Sequence, residues 1–320
     1  MAAPKLTDRL KGKKVPHIGH LTREDLAEIM KLGARFRDHP KDRTFVTLLA
    51  GRLQALLFVY ESTRTRMGFT AAMSQLGGQT AYLAAKDTQM GRGESMADTA
   101  RALNEFIDVF AGRLWSQDDM EICAREMTCP VFNACTPHDH STHVIGELMA
   151  IEQAKGKLQG LNLVYTGMAR GIMHSLIRVC PLLGVNLRVA VPPSYAKTIH
   201  PGILEEGKKL AKQNGTELEV ITDLMKAVEG ADFIQASTLM RSMLAGEQSP
   251  EEKEVEIPNW TVTEQVLAAA KPDVLYSHSG PAHRGVCATD AVLDGPKSRI
   301  RQEAENAFYA KKALYALIVE

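Results

Sequence analysis

A chain of 320 residues is long enough for two domains of ordinary size, each with its own core. Its 38 basic and 38 acidic side chains cancel to a formal net charge of +0, and 6% of its residues are aromatic, which excludes a basic, base-stacking nucleic-acid surface and makes any anion binding local. Five scattered cysteines without a C-x-x-C pair, no long apolar run and a polar, Lys-rich segment from Met1 to Lys14 predict reduced thiols, no membrane span, no secretory signal and a cytoplasmic location.

The first periodic segment, Leu21–Leu32, has helical spacing and a capping candidate at Thr22. An apolar strand, Leu53–Tyr60, runs into a helix that continues to about Leu76 and stops at Gly77-Gly78. A strand at Thr80–Leu83, a polar loop at Lys86–Glu94 and a helix at Met96–Phe106 follow, then short strands at Ile107–Phe110 and Pro130–Asn133. His143–Ala154 reads as a long helix linking two halves. Beyond it come strands Leu161–Thr166, Asn186–Val191, Leu218–Ile221, Ala231–Ala236 and Val274–Ser277. Helices Ile172–Leu183, Gly202–Lys212, Leu224–Val228 and Thr263–Ala270 separate them. Met240–Trp260 has no clear period and is expected to be a mobile lid-like loop. The alternation predicts an α/β protein of two doubly wound domains, each with a central parallel sheet. Residues 1–145 form the first, 146–301 the second, and a C-terminal helix within 302–320 closes on the first.

The most informative stretch is Ser62-Thr63-Arg64-Thr65-Arg66, where a strand turns into a helix. Backbone N–H groups and the helix dipole favour an anion there. Arginine adds forked donors that match phosphate, and hydroxyls reach the remaining oxygens. A solvated, capped helix start is the bland alternative. Two arginines flanking Thr65 directly after a buried strand favour the phosphate pocket.

This motif, followed by a Phe69-containing helix, resembles the carbamoyl-phosphate motif of the aspartate and ornithine carbamoyltransferases, and the similarity runs across most of the chain. Gly91–Ser95 with Asp98-Thr99 is similar to the family loop that enters a neighbouring subunit's site, with Thr88 and Arg92 at its donor positions. Arg113, ahead of Pro130, matches the family arginine that touches carbonyl and phosphate. His140 matches the family histidine, while Ser141 and His143 replace a proline and a glutamine. His278–Gly285 resembles the His-Cys-Leu-Pro-Ala-His-Arg-Gly element of ornithine-type enzymes, with Ser279 and Gly280 in place of Cys and Leu.

The resemblance implies carbamoyl transfer from carbamoyl phosphate to an amine, without cofactor or metal, in a homotrimer or higher assembly with shared sites. Arg64, Thr65, Arg113 and His140 would be catalytic. Ser62, Thr63, Thr88, Arg92, His143, Ser279 and Gly280 would complete the carbamoyl-phosphate site. The acceptor side departs from the family. Ser237 stands where ornithine enzymes carry an aspartate, and Arg241-Ser242-Met243 loosely matches their Ser-Met-Gly. Gly171 replaces an asparagine beside a new cation at Arg170, and Ala307 stands where an arginine is expected. These departures predict an acceptor other than ornithine, held through Arg170 or Arg241. They also leave open a non-catalytic carbamoyl-phosphate-binding or regulatory homologue. His138, His140 and His143 admit a third reading, a metal hydrolase, although the segment lies mid-chain and not after a first barrel strand.

Overall fold

A computed structural model describes residues 6–239 and 257–319. By internal contacts the chain divides into two compact units, Met1–Met149 with Ala304–Glu320, and Ala150–Glu303.

The first unit is built on a parallel sheet in the order β2-β1-β3-β4, comprising β1 Leu53–Phe58, β2 Gln79–Ala84, β3 Val109–Arg113 and β4 Val131–Cys135. Leu56 and Leu57, which point to opposite faces of β1, are both fully buried, as a sheet covered on two sides requires. Its helices are α1 Arg23–Asp38, α2 Thr63–Gln75, α3 Met96–Asn104, α4 Gln117–Glu126 and the first part of α5, Ser141–Lys155. Thr22 caps α1 in a reciprocal box with Asp25. The helix α4 was not anticipated. It buries little beyond Met120 and Cys123, so its apolar stripe is too sparse to announce a period, although Ser116 caps it. β3 begins two residues later than its apolar run predicts. Asp108 takes the Leu53 N–H at 2.8 Å and Arg52 at 2.7 Å, so the turn extends through it and the strand ends on Arg113.

The second unit carries a parallel sheet in the order β7-β6-β5-β8-β9, with β5 Asn162–Thr166, β6 Asn186–Ala190, β7 Leu218–Ile221, β8 Phe233–Ala236 and β9 Leu275–His278. Helices α6 Gly171–Leu182, α7 Pro193–Ala196, α8 Pro201–Asn214, α9 Leu224–Val228, α10 Glu264–Ala269 and α11 Asp290–Leu293 accompany it. Val164, Ile234, Trp260, Val262 and Tyr276 anchor the core on one of its faces. The expected lid lies mostly outside the described residues; of it, Ile257–Trp260 form a short 3-10 turn.

The last helix, α12 Ile300–Ile318, contributes Ala304 onward to the first unit. Tyr315 on α12 bonds the Gln54 carboxamide inside β1, and Lys312 donates to Gln75 on α2 at 3.0 Å. α5 and α12 nearly touch: a Cβ at Gly146 would lie 2.3 Å from the Ala307 Cα. Replacing Gly146 by Ala is therefore expected to lower stability by about 1–3 kcal/mol through overpacking. Urea unfolding reads this as a lower midpoint, and an unchanged midpoint would show that the crossing relaxes freely.

Candidate active site

Both sheets change direction beside a central strand, β1 in the first unit and β5 in the second. Crevices form outside the carboxyl ends of strands at such switch points. In the first unit the β1–α2 turn leaves that edge. Ser62 is extended, at φ −162° and ψ 114°, and its Oγ accepts the Thr65 N–H at 3.3 Å. The capped start of α2 thus presents its N–H groups and positive dipole end beside β1. Thr65 is buried and Arg64 exposed. The two arginines of the motif part company. Arg64 lines a pocket, whereas the Arg66 guanidinium lies 3.5 Å over the Tyr82 ring on β2. Ser62 and Thr63 start the helix but do not line that pocket.

Arg113 closes β3, where the β3–β4 register shifts between Gly112 and Arg113. Such an irregularity re-aims a side chain. The Arg113 guanidinium sits 4.1 Å over Tyr60, and Tyr60 stacks on Trp115 at 4.5 Å and 27°. This aromatic platform was missed from sequence. Its signal was present: Tyr60 and Trp115 each follow the end of a paired strand by two residues.

His140 is placed by a closed polar turn after β4. Thr136 N–H donates to the Asp139 carbonyl at 2.8 Å, and Asp139 N–H returns to Thr136 Oγ1 at 3.1 Å. The Asp139 carboxylate accepts from Ser141 N–H at 2.7 Å and from Ile18 N–H at 3.0 Å, fixing the start of α5. The His140 carbonyl then takes the first helical bonds, from His143 and Val144. Burial, then His143, Arg113 and Lys311, push the His140 pKa well below the ordinary histidine value. The ring is neutral at neutral pH, so one nitrogen donates and the other accepts. His143, one turn on, points Nε2 at Glu147 Oε1 at 3.2 Å.

The pocket that this edge encloses, of about 270 Å³, is walled by Arg64, Thr65, Gly68, Ala71 and His143, with Ala304, Ala307, Phe308 and Lys311 of α12. No acidic side chain lines it. Arg113 and His140 are not on its wall, but the effect of Arg113 and Lys311 on the imidazole places these groups in one electropositive neighbourhood. Lys311 is a second omission of the sequence reading. Thr88 and Arg92 do not line the pocket; they sit on the turns after β2, where Arg92 is exposed and Thr88 Oγ1 bonds the Ala85 carbonyl at 2.7 Å.

In the second unit the remaining candidates gather at the carboxyl edge of β5, β8 and β9. Gly167 follows β5 at φ 139°, and a Cβ there would meet the Ser237 carbonyl oxygen at 2.8 Å, so the two turns pass close enough to require glycine. Ser237 N–H donates to the Thr166 carbonyl, and Ser279 N–H to the Ala236 carbonyl, at 2.8 and 3.0 Å. Arg170 is half-buried and immediately precedes α6, with Gly171 as its first residue. Among the described residues Arg170 makes no ion pair. Gly280 takes φ 67° and its N–H donates to His278 Nδ1 at 2.8 Å. Arg241, Ser242 and Met243 lie outside the described residues. Among those described, His138, His140 and His143 do not converge as a three-histidine metal site.

Comparison with known proteins matches residues 13–153 to the family described as aspartate/ornithine carbamoyltransferase, carbamoyl-P binding domain, and residues 159–318 to its Asp/Orn binding domain. Ornithine carbamoyltransferase of Oceanobacillus iheyensis is 34% identical over 310 residues, covering 97% of this chain and 95% of that one. The solved ornithine carbamoyltransferase of Pyrococcus furiosus superposes with a TM-score of 0.90 at 33% identity, covering 97% and 98% of the two chains. An acetylornithine transcarbamylase solved with acetylcitrulline superposes at 0.84 with 25% identity, covering 96% and 99%.

Proposed function

Because the chain belongs to the aspartate/ornithine carbamoyltransferase family and is thus a carbamoyltransferase, we propose that it carries the carbamoyl group of carbamoyl phosphate to the amine of an amino acid other than ornithine, releasing phosphate. The observation that carries the donor half is the acid-free pocket at the α2 start, with Arg64 and Thr65 on its wall. A phosphate dianion there meets a guanidinium, a hydroxyl and a helix N-terminus together. In the reaction the neutral amine attacks the carbamoyl carbon, a C–N bond forms, and the C–O bond to phosphate breaks. Negative charge collects first on the carbonyl oxygen and then on the leaving phosphate. Thr65, Arg113 and the neutral His140 supply donors for that oxygen, and Arg64 and Arg113 hold the phosphate. Ser62 and Thr63 set the helix start, while Ser279 and Gly280 contribute backbone groups toward the carbamoyl amide. Positioning and electrostatics perform the catalysis, without a covalent enzyme intermediate.

The acceptor half rests on Arg170 and Ser237. Ser237 offers no countercharge for a free α-ammonium, whereas Arg170 stands unpaired by any described carboxylate at the positive end of α6. An amine carrying a carboxylate or another anionic group fits this edge better than ornithine. The exposed Thr88–Arg92 turns fit a loop that serves a neighbouring copy, so the working assembly is a homotrimer in the cytoplasm.

Incubation with carbamoyl phosphate and a panel of amino acids, N-acylated diamino acids and diamines, followed by phosphate release, tests the reading. One or more anionic amines should drive release, and Arg64→Ala should cut kcat/KM by about 100-fold or more, the scale of a lost transition-state donor. Near-normal turnover of Arg64→Ala would refute the donor assignment. Arg170→Ala should raise the acceptor KM far more than the carbamoyl phosphate KM; equal effects on both would remove Arg170 from the acceptor site. The pH profile separates His140 from the acceptor. With His140 already neutral, kcat rises with pH as the acceptor amine loses its proton. His140→Ala should lower kcat by about 100–1,000-fold and leave that limb in place. A limb that vanishes with the imidazole would assign the titration to His140 instead.

A further inference from the structure

We infer that Lys311 is a direct phosphate ligand of the donor pocket, supplied by the returning helix α12. The inference rests on the donor-site reading and adds to it a cation outside the strand–helix motif. Lys311 lines the same wall as Arg64 and Thr65, with 2% of its surface exposed. Its Nζ donates to the Ala307 carbonyl, one turn earlier in α12, at 2.8 Å. An ammonium has three donors, so the capacity for an anion remains.

The stem of Lys311 has a lane built for it. It lies against Gly68 in the second turn of α2, where an added Cβ would come within 3.2 Å of the lysine Cδ. The amine is thereby directed past α2 toward the pocket that Arg64 shares. Ala307, where an arginine was expected, also faces this pocket, so α12 presents its cation one turn later on the same face.

Charge makes the same case. The wall holds Arg64, Lys311 and His143 and no carboxylate. A buried lysine amine is unfavourable in its charged form unless a countercharge joins it. Burial alone pushes the Lys311 pKa down to about 7, and no described carboxylate opposes it. A bound dianion restores the charged ammonium, so ligand binding and lysine protonation favour each other.

Calorimetric titration with inorganic phosphate, on wild type, Arg64→Ala, Lys311→Met and Lys311→Arg, tests the inference. Methionine retains the stem's volume, and removing a buried amine is not expected to lower the melting temperature. Lys311→Met should weaken phosphate binding by about tenfold or more and raise the carbamoyl phosphate KM in step, the scale of one charge-assisted hydrogen bond. Lys311→Arg should recover most of both while keeping the fold. If Arg64→Ala loses phosphate and Lys311→Met binds within twofold of wild type, Lys311 is a structural amine and the inference is overturned with the donor site intact. If neither change weakens phosphate binding, the donor-site reading itself falls.

Discussion

Gln54, the second residue of β1, is fully buried, and its carboxamide has to be satisfied within the first unit. Its Nε2 donates to Thr80 Oγ1 on β2 at 2.5 Å and to the Phe69 carbonyl on α2 at 3.3 Å, while its Oε1 accepts from Tyr315 on α12. One side chain thereby joins the sheet, the helix that starts at the Ser62 cap and the helix that returns from the far end of the chain. The Tyr315 ring is packed by Phe69 and Phe132, so the bond lies in dry surroundings. A polar network in such a setting specifies one arrangement, because a shifted helix would strand its donors and acceptors. The relative placing of Arg64 on α2 and Lys311 on α12 follows from this join.

The second constraint is the parallel sheet. All its strands end at the same edge, so the turns that follow β1, β3 and β4 deliver the Ser62–Thr65 motif, Arg113 and His140 to neighbouring places. The groups differ in how they are held. The motif is capped by its own serine, Arg113 is aimed by a register shift and an aromatic stack, and His140 is locked by the Thr136–Asp139 turn. None depends on a flexible side chain finding its place alone. The result is a cluster of positive charge in which the His140 imidazole is kept neutral by its surroundings, and a neutral donor suits a developing oxyanion beside guanidiniums.

Much of this was legible because the signals were local. The apolar run of β1, the capped hydroxyl-arginine turn and the strand–helix alternation announce the fold class and the anion pocket. The resemblance added Arg113 and His140. What escaped were features created by distant parts of the chain meeting. Lys311 lies in an unbroken run of buried helix residues, yet reads as a surface lysine until α12 is laid on α2. The Tyr60–Trp115 platform exists only because β1 and β3 are adjacent. One strand limit moved for a simpler reason: Asp108 ends its turn with side-chain hydrogen bonds that hydropathy does not register. The two motif arginines looked equivalent in sequence, yet a tyrosine across the sheet engages Arg66 and leaves Arg64 to the pocket.

The first unit is interrupted by the whole of the second, since residues 150–303 separate the first part of α5 from the part of α12 that walls the pocket. During synthesis the strand–helix motif emerges early, but Ala304–Lys311 follows only after every strand of the second sheet has been made. Closing so long a loop is slow compared with local folding, and domains ordinarily mature as units from the N-terminus. Here the earlier unit must wait for the later one. The nascent chain therefore carries an open first sheet with Gln54 lacking its tyrosine, and the α12 wall of the pocket closes only after the second sheet has been made.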